Sequence, residues 1–476
     1  MDIQDKMKKF PENFLWGASS SAFQIEGGWN QGGKGKTVAD FNSFKRSDKQ
    51  ADSKVASDFY NNWKADIDLM SELGLQLYRF SISWARIIPT GDGEINEDGI
   101  KFYDQVIDYL LEKGIMPFIT LYHFDLPYAL VEKYNGWEDR ECAFAFERYA
   151  KICFERFGAK VKNWQVHNEQ NLMVRVDERM NIDVENKWEA DRMRAQMDYH
   201  MFLAHALTVK VFRKVVENGK IGPAVSSTCS YPATSKPEDV WAAKMNDCFK
   251  TEYALDMHVY GEYPKYYMRY LKERNIVPKT EAIDKDILKG ATNDFIAVNY
   301  YRTLCIKHLP VDENHVLGER ESIMNQVDFD QYGYFRHIKN ENLKASEYGA
   351  QIDPSGLRLV LNRYYEKYRL PMIIAENGLG AHDVLTEDGK VHDSYRIDYL
   401  RDHIEACRLA MEDGVEMWGY SPWSVMDILS SHQGFKKRYG FVYINRDDFD
   451  LKDMKRIKKD SFYWYQKVIQ THGEEM

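Results

Sequence analysis

Short apolar runs recur along the chain, each followed by a longer segment in which apolar residues return every three or four positions. The runs are FLWGAS from Phe14, LQLYRFSI from Leu75, IMPFITLYH from Ile115, VKNWQVHN from Val161, KIGPAVS from Lys220, DFIAVNY from Asp294, MIIAEN from Met372 and VEMWGYSPW from Val415. Such runs predict buried strands, and the segments between them predict amphipathic helices. SDFYNNWKADIDLMSELG and DGIKFYDQVIDYLLEKG are the clearest helices, the second stopping at Gly114, where a helix end favours glycine. Eight strand-and-helix units predict an α/β fold, a single (β/α)8 barrel spanning residues 1–476 with extended loops at the C-terminal face of the strands, rather than an open doubly wound sheet. Glycine-rich GGWNQGGKGK, Gly27 to Lys36, has neither a dinucleotide fingerprint nor a phosphate-loop ending, so a mobile loop is expected there. The polar stretch from Val311 to Gln351 is the expected long loop.

The formal charge of −10 is spread along the chain without a long basic block, which argues against a nucleic-acid surface and leaves any anionic ligand in need of a local cationic patch. The cysteines, at 142, 153, 229, 248, 305 and 407, form no CxxC pair, so reduced thiols are expected. The charged start MDIQDKMKKF offers no apolar signal core, and no apolar run is long enough to cross a bilayer. A cytoplasmic protein without membrane or nucleic-acid partners is the expectation, and the sequence leaves a homo-oligomer open.

In a barrel of this kind, functional side chains stand where strands end. Those positions hold Gln24, Arg79, His123, Asn168 and Glu169, Asn299 and Tyr301, Glu376, and Trp423. Two carboxylates, several hydrogen-bonding groups and an aromatic face suit a sugar, whose hydroxyls need polar partners and whose C–H face packs on a ring. Glu169 in WQVHNEQN and Glu376 in PMIIAENG each follow an apolar run directly; a carboxylate so placed is costly unless it is paired or used. No histidine or cysteine spacing near them suits a metal, and no cofactor is expected; His167 reads as a core or supporting residue.

Together WQVHNEQN, IIAENG, FLWGASSSAFQIEG and RFSISWARIIP resemble glycoside hydrolase family 1, retaining β-glycosidases on a (β/α)8 barrel, from Phe14 to about Tyr465. The resemblance implies that Glu376 is the nucleophile and Glu169 the general acid and then base. It also implies that Arg79 and Tyr301 attend Glu376, that Asn168 meets the 2-hydroxyl, and that Gln24, His123, Asn299 and Trp423 hold the reacting sugar. Retaining cleavage needs the two carboxyls roughly 5–5.5 Å apart. The family usually has proline after the acid, where this chain has Gln170; a local backbone adjustment is expected there.

MDILSSHQGFKKRYGFVYINR, from Met426, carries a local cationic patch in Lys436, Lys437 and Arg438. On an extended segment Lys437 and Tyr439 face the same way, so an ammonium and a phenol converge on one anion. Ser430 stands where relatives acting on plain sugars have a glutamate that would repel phosphate. Ser430, Lys437 and Tyr439 thus resemble the phosphate grip of the 6-phospho-β-glucosidase branch. Ser431, where phospho-galactosidases have tryptophan, favours glucose, and Ala350, where many relatives have tryptophan, implies a wider leaving-group side. The expected activity is hydrolysis of 6-phospho-β-D-glucosides to glucose 6-phosphate and an aglycone. The alternatives are a 6-phospho-β-galactosidase or dual enzyme, a β-glucosidase for plain sugars, and a non-catalytic sugar-phosphate sensor.

Overall fold

The computed structural model describes residues 7–308, 336–431 and 433–476. Each of the eight apolar runs contains a strand: Leu15–Ser19, Leu77–Ser81, Met116–Tyr122, Asn163–His167, the pair Lys220–Gly222 and Ala224–Ser227, Ile296–Tyr300, Met372–Glu376 and Met417–Tyr420. All neighbours pair in parallel, first with second and so on, and the last returns to the first. The fifth position is broken by Pro223, which has no N–H to donate to the ladder. Its two halves divide the work of closing the barrel: Lys220–Gly222 pairs with the fourth strand and Ala224–Ser227 with the sixth. Pro223 still accepts a bond from Ala297 N–H through its carbonyl, at 2.9 Å. The fold is therefore a closed (β/α)8 barrel.

Strand alternation separates two cores. Leu77, Phe118, Ala224, Phe295, Ala297, Ile373 and Ala375 fill the barrel interior, while Tyr78, Phe80, Ile119, Val298 and Ile374 join the larger core beneath the helices. The two clear amphipathic segments are helices Phe59–Leu73 and Glu97–Glu112. Gly74 and Gly114 follow them with φ of +88° and +73°, a backbone region that only glycine enters without a Cβ penalty.

Gly27 to Lys36 is a loop, as expected, but a closely packed one. A Cβ on Gly27 would lie 2.1 Å from the Val55 carbonyl oxygen, and one on Gly35 2.0 Å from that of Pro89. The predicted Val311–Gln351 loop lies outside the described residues over 311–335; the rest holds the short strand Arg336–Ile338 and turns. That strand joins Ser230–Pro232 and Leu304–Lys307 in a small sheet with no counterpart among the apolar runs. All six cysteines are buried and unbridged. Among the described residues no helix is long and apolar enough to cross a membrane.

Candidate active site

The strand ends converge on one cavity at the C-terminal face of the barrel. Gln24, His123, Asn168, Glu169, Tyr301, Glu376, Trp423, Ser430, Ser431, Lys437 and Tyr439 all line it. Arg79 lies beneath, fully buried on the second strand.

Glu376 reaches the cavity because of a register shift. Ile373 faces inward and Ile374 outward, so strict alternation would turn Glu376 out towards the helices. Between Ile374 and Glu376 the pairing with the sixth strand slips by one residue, leaving Glu376 opposite Asn299. Such a bulge re-aims the side chain that follows it. Glu169 is aimed differently: it sits at φ +44°, ψ +47° ahead of the helix Gln170–Met173. A left-handed backbone on a glutamate costs on the order of 1–3 kcal/mol, and it is held by a bond from Glu169 N–H to the Ala224 carbonyl at 3.1 Å.

An unbroken chain of hydrogen bonds joins the two acids. Arg79 donates from Nη1 to Glu376 Oε1 and from Nη2 to Asn168 Oδ1, both at 2.6 Å, while its Nε donates to Thr120 at 2.8 Å. Asn299 Nδ2 donates to Asn168 Oδ1 and to Glu169 Oε1, each at 3.0 Å. Tyr301 donates its hydroxyl to Glu376 Oε2 at 2.8 Å. Both Glu376 oxygens thus face donors, the environment of an ionised carboxylate.

Burial pushes the Glu169 carboxyl up to about 7, and the charge of Glu376 adds to this; the Asn299 bond and the cations Arg179 and Arg79 oppose it. The two acids thus sit in different surroundings, and those of Glu169 favour its proton. Burial also drives His123 well below the usual imidazole range, with Arg79 and Arg179 adding to the effect, so the ring is neutral. Its tautomer follows from Asn168, whose Oδ1 already accepts from Arg79 and Asn299. The Asn168 amide must then donate to His123 Nε2, 3.1 Å away, which leaves the proton on His123 Nδ1. That nitrogen is buried without a partner among the described residues. The His123 and Trp423 rings lie nearly parallel, 21° apart with centroids separated by 5.7 Å. Gln24 accepts from the Ser21 hydroxyl at 2.7 Å and donates to the Leu429 carbonyl at 2.9 Å.

The three basic residues after the eighth strand do not form one patch. Lys436 is exposed, 3.9 Å from Asp448. Arg438 turns away from the cavity to a buried pair with Asp427 at 2.7 Å. Only Lys437 faces the cavity, alongside Tyr439, as alternation on an extended segment requires. Its ammonium makes no ion pair among the described residues and lies 4.8 Å and 5.4 Å from the Tyr348 and Tyr439 ring centroids. Burial holds it down to about 8, with Arg302 contributing and Glu347 opposing.

Gln170 starts the short helix, a position where proline also fits. Its amide is buried, donating to Asp198 Oδ1 at 2.7 Å and lying 3.3 Å from His167 Nδ1, so His167 supports the site from behind. Ala350 lines the cavity beside Ile352, Tyr348 and Ser346. The cavity also contains Phe124, Arg179, Lys250 and Arg302, which no strand-end position in the sequence identifies.

The profile of glycosyl hydrolase family 1 matches residues 6–474. The aryl-phospho-β-D-glucosidase BglC of Bacillus subtilis is 44% identical over the whole of both chains. The 6-phospho-β-glucosidase of Dickeya chrysanthemi is 39% identical over 98% of this chain and 99% of its own. Among solved structures, a family 1 β-glucosidase from Thermotoga maritima superposes with a TM-score of 0.86 at 35% identity, covering 98% of this chain and 99% of its own. On both sequence and fold, this chain belongs to glycosyl hydrolase family 1 and is a glycoside hydrolase.

Proposed function

We propose that the chain hydrolyses 6-phospho-β-D-glucosides with retention of anomeric configuration. The observation that carries this is Lys437: a buried ammonium without a counter-ion among the described residues, beside Tyr439 and Ser430, in the cavity that also holds both glutamates. A neutral sugar needs no such charge, whereas a phosphate ester supplies its missing partner. The names of the Bacillus and Dickeya relatives point the same way.

In this reading the Glu376 carboxylate attacks the anomeric carbon while Glu169 gives its proton to the departing oxygen, leaving a glycosyl ester on Glu376. Glu169, now a carboxylate, takes a proton from water, whose oxygen displaces Glu376 and releases glucose 6-phosphate. Tyr301 and Arg79 orient the nucleophile. Asn168 keeps one amide hydrogen for the 2-hydroxyl, and the Nδ1–H of His123, the Gln24 amide and the Trp423 face remain for the rest of the ring. Asn299 holds Glu169 in place. The sequence calls for no cofactor, and none enters these steps. Ser431, rather than a large ring, supports glucose, and Ala350 supports a bulky aglycone such as an aryl group or a second sugar. A substrate phosphorylated before cleavage is met in the cytoplasm, so the reading places the chain there.

Activity on plain β-glucosides is the second reading, favoured by the name of the Thermotoga structure. Steady-state rates on 4-nitrophenyl β-D-glucoside and its 6-phosphate separate the two. A large preference for the phosphorylated compound is expected, and equal rates would discard the phosphate site.

A further inference from the structure

Arg179 lies on the short helix Asp177–Met180, and the two-carboxylate chemistry gives it no task. Its guanidinium sits 4.0 Å over the Phe124 ring, a contact that fixes the plane of the fork. Nη1 is enclosed yet has no hydrogen-bond partner among the described residues. Such an unmet charged donor is costly. The acid next to it in the chain gives no hydrogen bond there, because Glu178 pairs with Arg46 at 3.0 Å. Arg179, Phe124, Ser430 and Ser431 all border both the central cavity and the narrow recess beside it. Arg179 and the two serines therefore share a wall of the site.

We propose that Arg179 is a second cationic determinant of substrate choice, donating from Nη1 to the anionic substituent of a phosphorylated sugar seated against Ser430 and Ser431. The proposal rests on the phosphoglucosidase reading. It places cations on two separate elements lining one cavity, Arg179 after the fourth strand and Lys437 after the eighth. A planar fork suits this task, since it presents two parallel donors to phosphate oxygens. A competing role is distinguishable: the charge of Arg179 also favours the ionised form of Glu169. A residue acting only through Glu169 would change plain and phosphorylated substrates alike and would shift the alkaline limb of the pH profile.

The test uses the full chain as wild type, R179K, R179Q and K437M, with folding checked by circular dichroism. For each, kcat/KM is measured across pH on 4-nitrophenyl β-D-glucoside and its 6-phosphate. The ratio of phosphorylated to plain activity is expected to fall by at least about tenfold in R179Q, mainly through KM, with R179K intermediate. An unchanged ratio in whichever of the two variants folds overturns the proposal, whether or not both activities drop together. If the wild type prefers phosphate, K437M loses that preference and R179Q keeps it, the phosphoglucosidase reading stands and Arg179 is excluded. A wild type without preference would instead sink the reading itself.

Discussion

Replacing Lys437 by methionine removes the ammonium that lies by the Tyr348 and Tyr439 rings while keeping most of the stem. A hydrogen bond to a charged group contributes about 1.5–3 kcal/mol, and truncating one member of a buried charge pair costs roughly 2–5 kcal/mol. Lys437 is only 8% exposed, so solvent screens the contact little and a loss of about 2–4 kcal/mol is expected. At about 1.4 kcal/mol per factor of ten, kcat/KM on an aryl β-glucoside 6-phosphate should fall roughly 30- to 1,000-fold. The plain aryl glucoside, which makes no use of the charge, should change by no more than a few-fold. The pH profile gives a second reading of the same residue. Glu169 must hold its proton to act as acid, so both substrates should lose activity above about pH 7. Lys437 must also be protonated to receive phosphate, and it is held at about 8; above that pH the phosphorylated substrate alone should fall off more steeply. Lys437→Met should abolish the extra steepness. Equal losses on both substrates, or an unchanged profile, would refute the assignment.

Glu169→Gln tests the proton holder through stability as well as turnover. The native Glu169 keeps a proton that the unfolded chain releases above about pH 4.5, so folding is penalised as pH rises from there towards 7. Removing the ionisable group should stabilise the protein by about 1–3 kcal/mol near pH 8 and by nothing near pH 4, while hydrolysis of substrates with poor leaving groups collapses. Denaturant midpoints at the two pH values check this, and equal midpoints would contradict it. Gly380→Ala places a Cβ 2.2 Å from Lys437 Cε and 2.8 Å from the Tyr439 ring. It should displace the ammonium and lower the phosphorylated-to-plain ratio of kcat/KM, a result that an undisturbed ratio would refute.

Much of this architecture is written in local pattern. Apolar runs mark all eight barrel positions because strands buried on both faces need no polar alternation, and strand ends name the residues that meet in the cavity. Lys437 and Tyr439 are legible together because a period of two is intrinsic to extended backbone, although the same rule turns Arg438 inward, where Asp427 receives it. The bulge that aims Glu376 is not legible: it arises from pairing with Asn299, distant in the chain. Nor is Arg179, which lies on a single helical turn too short to show periodicity and borders the cavity beside the Phe124 ring. The break at Pro223 is visible as a proline within an apolar run, but its consequence, a strand that serves two neighbours in turn, depends on closure of the barrel.

The most direct measurement is mass spectrometry of the chain after reaction with an aryl 2-deoxy-2-fluoro-β-D-glucoside 6-phosphate, whose fluorine slows release of a glycosyl ester. The account predicts one sugar phosphate bound through Glu376, with far slower labelling by the reagent that lacks phosphate. A label on another residue, no label at all, or equal labelling by both reagents would contradict it.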